Sequence, residues 1–237
     1  MLSLINFGHY KMNKKYLYLF LILAVPGIVF AIFDQMQDDY KPLPVLSNSD
    51  DTTYQAIDNY KLFCQTGETI TPQLLKGFIY VADFFFTSCP SPDFCPRLSA
   101  NMNILQRKFY SSDDFKLVSF TVDPEIDTVE VLSKYADTFF AKPNKWLFLT
   151  GNKNEIYELI NKKYLQTVIH GEDDPDAFIH TDKFVLVDKK GRIRGFYNGR
   201  NDDEIKGLIT DIKILQQEYT HQFVSENKVE YKPNTSD

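Results

Sequence analysis

Residues 77–86, GFIYVADFFF, are apolar at nearly every position, the pattern of a strand covered on both faces rather than one wetted on alternate residues. The hydrophobic period changes repeatedly around it. Residues 60–64 and 68–71 face each other across Thr66-Gly67 as a short hairpin. Beyond Pro96, the residues Leu98, Met102, Leu105 and Phe109 recur at helical spacing, with proline in its favoured first turn. Residues 96–110 are therefore predicted as a helix. FKLVSFTV, residues 115–122, reads as the next strand, and DTVEVLSKYADTFF, residues 127–140, as a helix N-capped by Asp127. WLFLTG, residues 146–151, is a short buried strand followed by a helix over 153–163. KFVLVDKKGRIRGFY, residues 183–197, is a hairpin turning at Lys190-Gly191. A closing helix runs from 202 to about 219, its stripe made by Ile205, Leu208, Ile209, Ile212 and Leu215.

Strands that alternate with helices and end in a hairpin and a helix predict an α/β fold, a three-layer sandwich about a central mixed sheet. Its element order is thioredoxin-like, with two cysteines where a strand hands over to a helix. The folded domain is expected over residues 54–219. Before it, DQMQDDYKPLPVLSNSDDT is polar, carries two prolines and has no period, so residues 34–53 read as a tether. After it, the polar residues 220–237 read as a frayed tail.

Residues 16–33, YLYLFLILAVPGIVFAIF, carry no charge and are flanked by Lys11, Lys14 and Lys15 before and Asp34, Asp38 and Asp39 after. Such a run is long enough to span a bilayer. The lysines keep residues 1–15 in the cytoplasm, which puts the domain on the periplasmic or other extracytoplasmic side of a bacterial inner membrane. A cleaved signal peptide predicts the same direction of export. The run is long for one, however, and no small-x-small cleavage pattern precedes Asp34. With 237 residues, the chain fits one domain with appendages. The net charge of -6 argues against nucleic acid as a partner, because the best basic cluster is the one explained by the membrane.

Three cysteines are too few for a disulfide-built scaffold, so their chemistry matters more than their cross-linking. Two of them lie in FFFTSCPSPDFCPRLS, residues 84–99. Cys95, at the helix start, meets unpaired N–H groups and the positive dipole end, which favour thiolate. Cys89 stands across the loop PSPDF, stiffened by Pro90 and Pro92. The pair suits a disulfide, thiol exchange or two thiolates around an ion, and an added imidazole would favour Cu(I). Of the four histidines, His9 precedes the membrane segment and His221 lies in the tail. His180, closing GEDDPDAFIH just before a strand, is the better candidate, and His170 reads as a solvated loop residue. Cys64 reads as a small buried apolar residue or a resolving thiol. Asp83 is unusual inside a buried strand and is a candidate to tune thiol pKa values. Asp123 and Asp127 follow a strand end on the same side as the cysteines and are candidates to support the site.

Three blocks, FFFTSCPSPDFCP, TVDPEIDT and FIHTDKFVLVDKKGRIRGFYNG, occur in an order and at distances that resemble the SCO/SenC family of membrane-anchored copper-binding proteins. The resemblance covers residues 54–219. It implies a thioredoxin-like fold and one copper ion, Cu(I) or Cu(II), held by Cys89, Cys95 and His180. It also implies assembly of the dinuclear copper site of cytochrome c oxidase, by copper delivery or by reducing that site's cysteines. Such a protein is a metallochaperone more than an enzyme, with the oxidase copper-site subunit or another copper carrier as its partner. The family pattern is C-P-x-x-C-P, whereas this chain keeps Pro90 and Pro96 but places five residues between the cysteines. The added length has to bulge about Ser91, Pro92 and Asp93. A thiol-disulfide oxidoreductase or redox sensor that uses Cys89 and Cys95 without copper is the alternative.

Overall fold

A computed structural model describes residues 14–15, 18, 20, 24–28, 42–46, 60–91, 93–164, 169–170, 178–179 and 181–230. The chain divides into two units, Met1–Lys41 and Pro42–Asp237. Most of the expected membrane segment lies outside the described residues, and among those described no helix is long and apolar enough to cross a membrane.

The second unit holds a mixed sheet of β1 (Leu62–Cys64), β2 (Thr69–Ile70), β3 (Ile79–Phe85), β4 (Phe115–Thr121), β5 (Trp146–Thr150), β8 (Lys183–Val187) and β9 (Ile193–Asn198). Their spatial order is β2-β1-β5-β4-β3-β8-β9. β3, β4 and β5 are parallel, while β8, β9, β1 and β2 pair antiparallel. The helices are α1 (Pro72–Leu75), α2 (Cys95–Lys108), α3 (Val129–Thr138), α4 (Lys153–Glu158) and α5 (Asp202–Glu230). This is the mixed, sheet-centred α/β fold that the alternating periodicity predicts.

The phenylalanine run explains itself in β3, which is buried at every position. Successive strand residues point to opposite faces. Phe84 accordingly packs on Phe120 and Tyr164 at 5.9 and 5.3 Å, while Phe85 meets Tyr135 and Phe148 at 5.1 and 5.4 Å. α2 and α3 cover the Phe85 face, where Phe109 also tilts onto Phe115. On the Phe84 face, α4 runs into a π-helical turn, Leu159–Lys163, that delivers Tyr164 to the core. The expected helix over 153–163 thus changes hydrogen-bond register midway.

The hairpin between β8 and β9 turns where the sequence places it, with Gly191 at φ 77°, a conformation that a side chain disfavours. Three other expectations change. Residues of the supposed tether lie on the domain: Leu46 N donates to Ile193 O at 2.9 Å, and Arg194 bonds the carbonyls of Leu43 and Pro44. The closing helix continues past residue 219 to Glu230, because a polar sequence without proline or glycine has no signal to stop it. His170, read as a loop residue, lies in a short strand β6 (Ile169–His170) paired with β7 (Phe178–Ile179), with His170 opposite Phe178.

Candidate functional site

β3 feeds the loop that carries both cysteines, and the loop is anchored at its first turn. Asp127 accepts hydrogen bonds from Thr87 N at 3.1 Å, from the Thr87 hydroxyl, and from the Thr121 hydroxyl at 2.5 Å. Thr121 Oγ1 in turn accepts from Asp123 N at 2.9 Å. One buried carboxylate therefore ties the end of β4 to a residue two positions before Cys89. Asp127 is not the helix cap that its position predicts: Thr128 is the N-cap and accepts from Val131 N at 3.4 Å. With capping left to Thr128, Asp127 is available to hold the loop. An Asp127→Asn variant, whose amide NH2 cannot accept, should lose about 1–3 kcal/mol in urea unfolding.

The longer loop is taken up by a turn. Phe94 N donates to Ser91 O at 3.2 Å, and the Cys89 thiol donates to Ser91 O at 3.7 Å. The helix begins at Cys95 itself, with Phe94 as N-cap and Leu98 N donating to Phe94 O at 3.0 Å. The result is two free thiols that interact with each other, Cys89 half-buried and Cys95 fully buried.

Burial changes the expected acidity of Cys95. Loss of solvent pushes its thiol well above the ordinary range, and the neighbouring Cys89 and Asp83 add to the rise, against a backbone hydrogen bond at Phe86. The helix start does not outweigh desolvation here, so the metal-free site holds a protonated Cys95.

Asp83 lies beneath the pair. It is 0% exposed, sits beside Ser119 in the β3–β4 register, and neither carboxylate oxygen has a hydrogen-bond partner. Burial raises its pKa to about 7, opposed by the adjacent Ser119 hydroxyl. That hydroxyl accepts from Trp146 Nε1 at 2.8 Å, which leaves its own proton free to face Asp83. The Asp83 charge reaches the Cys95 thiol and adds to the rise of its pKa. Asp123 is different: burial and the Asp127 charge raise its pKa, and its other charged neighbours are Lys153 and Glu125, not the cysteines.

Tyr135 was not legible as a site residue. Its hydroxyl pairs with Ser99 Oγ at 3.0 Å, and its acidity responds to Cys95, Asp83 and Cys89, after burial as the main cause. Nothing in the α3 sequence marks it beyond an aromatic at helical spacing. Cys64 lies in β1, three strand positions from β3, so about 14 Å of sheet separates it from that strand. It is buried and pairs with Thr66 Oγ1 at 3.1 Å, as a small core residue does.

His180 lies outside the described residues. Among those described, no three His, Cys, Asp or Glu side chains gather as a metal site would require. The two thiols amount to a soft, two-donor set with the third donor still to be supplied.

The SCO1/SenC family model matches residues 48–215. The chain is 34% identical over 151 residues to the SCO1 protein homolog of Bacillus subtilis strain 168, covering 63% of this chain and 77% of that protein. Among solved structures, it is similar to BsSco, a member of the Sco family of cytochrome c oxidase assembly proteins in which a disulfide switch has been identified. The two share 30% identity with a TM-score of 0.60, over 74% of this chain and 98% of that one. It is also similar to Arabidopsis thaliana ScoI with copper bound, at 26% identity and a TM-score of 0.55, over 67% of this chain and 99% of that one.

Proposed function

The chain belongs to the SCO1/SenC family, and from that premise we propose that it binds one copper ion through Cys89, Cys95 and His180 and serves assembly of the copper site of cytochrome c oxidase. The observation that carries this reading is the pair of mutually interacting free thiols at the start of α2. Two soft sulfur donors, one of them fully buried, suit Cu(I), and an imidazole completes a three-donor set. Because Cys95 is held protonated, uptake has to displace a proton, and apparent affinity rises with pH. The similarity to copper-bound ScoI and to BsSco supports both the metal and the assembly role. Residues 16–33 anchor the protein in a bacterial inner membrane with the domain on the periplasmic side. Its partner there is the oxidase copper-site subunit or another copper carrier.

A second reading, thiol-disulfide exchange by Cys89 and Cys95, draws on the same electrostatic interaction between the thiols and on the disulfide switch of BsSco. Titrating Cu(I) into the reduced full-length chain separates the two. The wild type is expected to take up one copper per chain, and His180→Ala to bind about 100-fold more weakly, on the order of 3 kcal/mol. If His180→Ala binds as the wild type does, while Cys95→Ser abolishes exchange with a disulfide substrate, the redox reading replaces the copper reading.

A further inference from the structure

The turn Asn198-Gly199-Arg200, where β9 hands over to α5, reaches both segments on which the proposed copper site depends. On one side it grips Asp182, two residues past His180. Asn198 Nδ2 donates to Asp182 Oδ2 at 2.7 Å, Gly199 N donates to Asp182 O at 2.6 Å, and Arg200 Nε stands 3.8 Å from Asp182 Oδ2. On the other side the Arg200 guanidinium lies over the ring of Phe94, 4.7 Å from its centroid, and Phe94 is the residue before Cys95. Asn101 of α2 joins the same turn, donating from Nδ2 to Gly199 O at 2.6 Å.

The turn is a firm base for these contacts. Arg200 N donates to Asn198 Oδ1 at 2.9 Å. A Cβ on Gly199 would fall 2.6 Å from side-chain atoms of both Leu98 and Phe184, so the backbone is seated directly on the core. Arginine suits the position because its planar face stacks on a ring while its edge pairs with a carboxylate; a lysine ammonium satisfies one of these well.

We propose that Arg200 is a positioning residue, a clip that holds Asp182, two residues past the proposed ligand His180, to Phe94, the residue before Cys95. This inference rests on the copper reading above. Arg200 is 41% exposed at its side chain, so its removal opens no core cavity and the variants fold.

The test compares full-length wild type, Arg200→Gln and Arg200→Lys. In the metal-free chains, amide hydrogen exchange is followed by mass spectrometry in peptides containing Phe94 and Gly199. Arg200→Gln is expected to speed exchange about fivefold in both peptides together, and Arg200→Lys to restore part of the protection. With copper, Arg200→Gln should weaken Cu(I) binding about tenfold. Its Cu(II) form should show a weakened nitrogen hyperfine coupling of an imidazole while keeping thiolate-to-copper absorption. Exchange that rises in neither peptide, or in one alone, overturns the clip, as does wild-type copper affinity in Arg200→Gln. A wild type that binds no copper, with exchange still coupled across both peptides, leaves the clip standing and removes the copper reading instead.

Discussion

Arg194→Ala should cost the fold about 3–5 kcal/mol, the penalty for removing one partner from a buried ion network. The Arg194 side chain is 1% exposed and every one of its N–H groups is used. Nη1 donates to Asp188 Oδ2 and Glu218 Oε1, each at 3.1 Å. Nη2 donates to Glu218 Oε2 at 2.7 Å and to Leu43 O at 2.5 Å, and Nε donates to Pro44 O at 3.0 Å. Truncation strands the mostly buried Glu218 and frees the chain at 42–46. Asp188 is better protected. Burial alone would raise its pKa, yet its bonds with Arg192 hold it below the usual carboxylate range, and that partner remains in the variant. Arg194→Lys, with three donors for five acceptor positions, should recover part of the loss. Urea unfolding of the full-length chain measures the cost, and proteolysis near residues 42–46 should accelerate in parallel. A change below about 1 kcal/mol would show that the network contributes no more than a surface pair.

Asp83→Asn is expected to act in the opposite direction, stabilising the protein at neutral pH. A carboxyl whose folded pKa is about 7 binds its proton more tightly when folded than when unfolded, where the ordinary value is 3.8. Between those two values the native state holds a proton that the unfolded chain has released, so stability falls as pH rises from about 4 to about 7 and is level beyond. The wild type thus carries a penalty of about 2–4 kcal/mol at pH 8 that a neutral amide of the same shape avoids. Unfolding measured across pH 4 to 8 should show a declining limb in the wild type that flattens in Asp83→Asn. If both profiles have the same slope, Asp83 is not the group that titrates. Since the Asp83 charge also raises Cys95, the variant's Cys95 thiol should deprotonate more readily, an effect that alkylation rates would register. Asp83 is therefore a destabilising group retained beneath the thiols, where local rules of burial argue against it.

Sequence alone determined the order of the longer strands and helices, though not α1 or the β6–β7 pair, together with the two-sided burial of the phenylalanine run, the Lys190-Gly191 hairpin and the placement of Cys89 and Cys95 where β3 gives way to α2. These follow from hydrophobic period and turn chemistry, which are local and written within a few residues. Tertiary structure decided which polar groups meet. Asp127 looked like a cap and instead holds Thr87, forty residues earlier in the chain. Cys95 looked like a thiolate until its burial was known, and Arg200 had no mark in sequence beyond its charge. Arg194 finds Pro44 across 150 positions. A charged or hydroxyl side chain carries the same letter whether solvent or a distant partner satisfies it, so its role is set by the packing that brings the partner near.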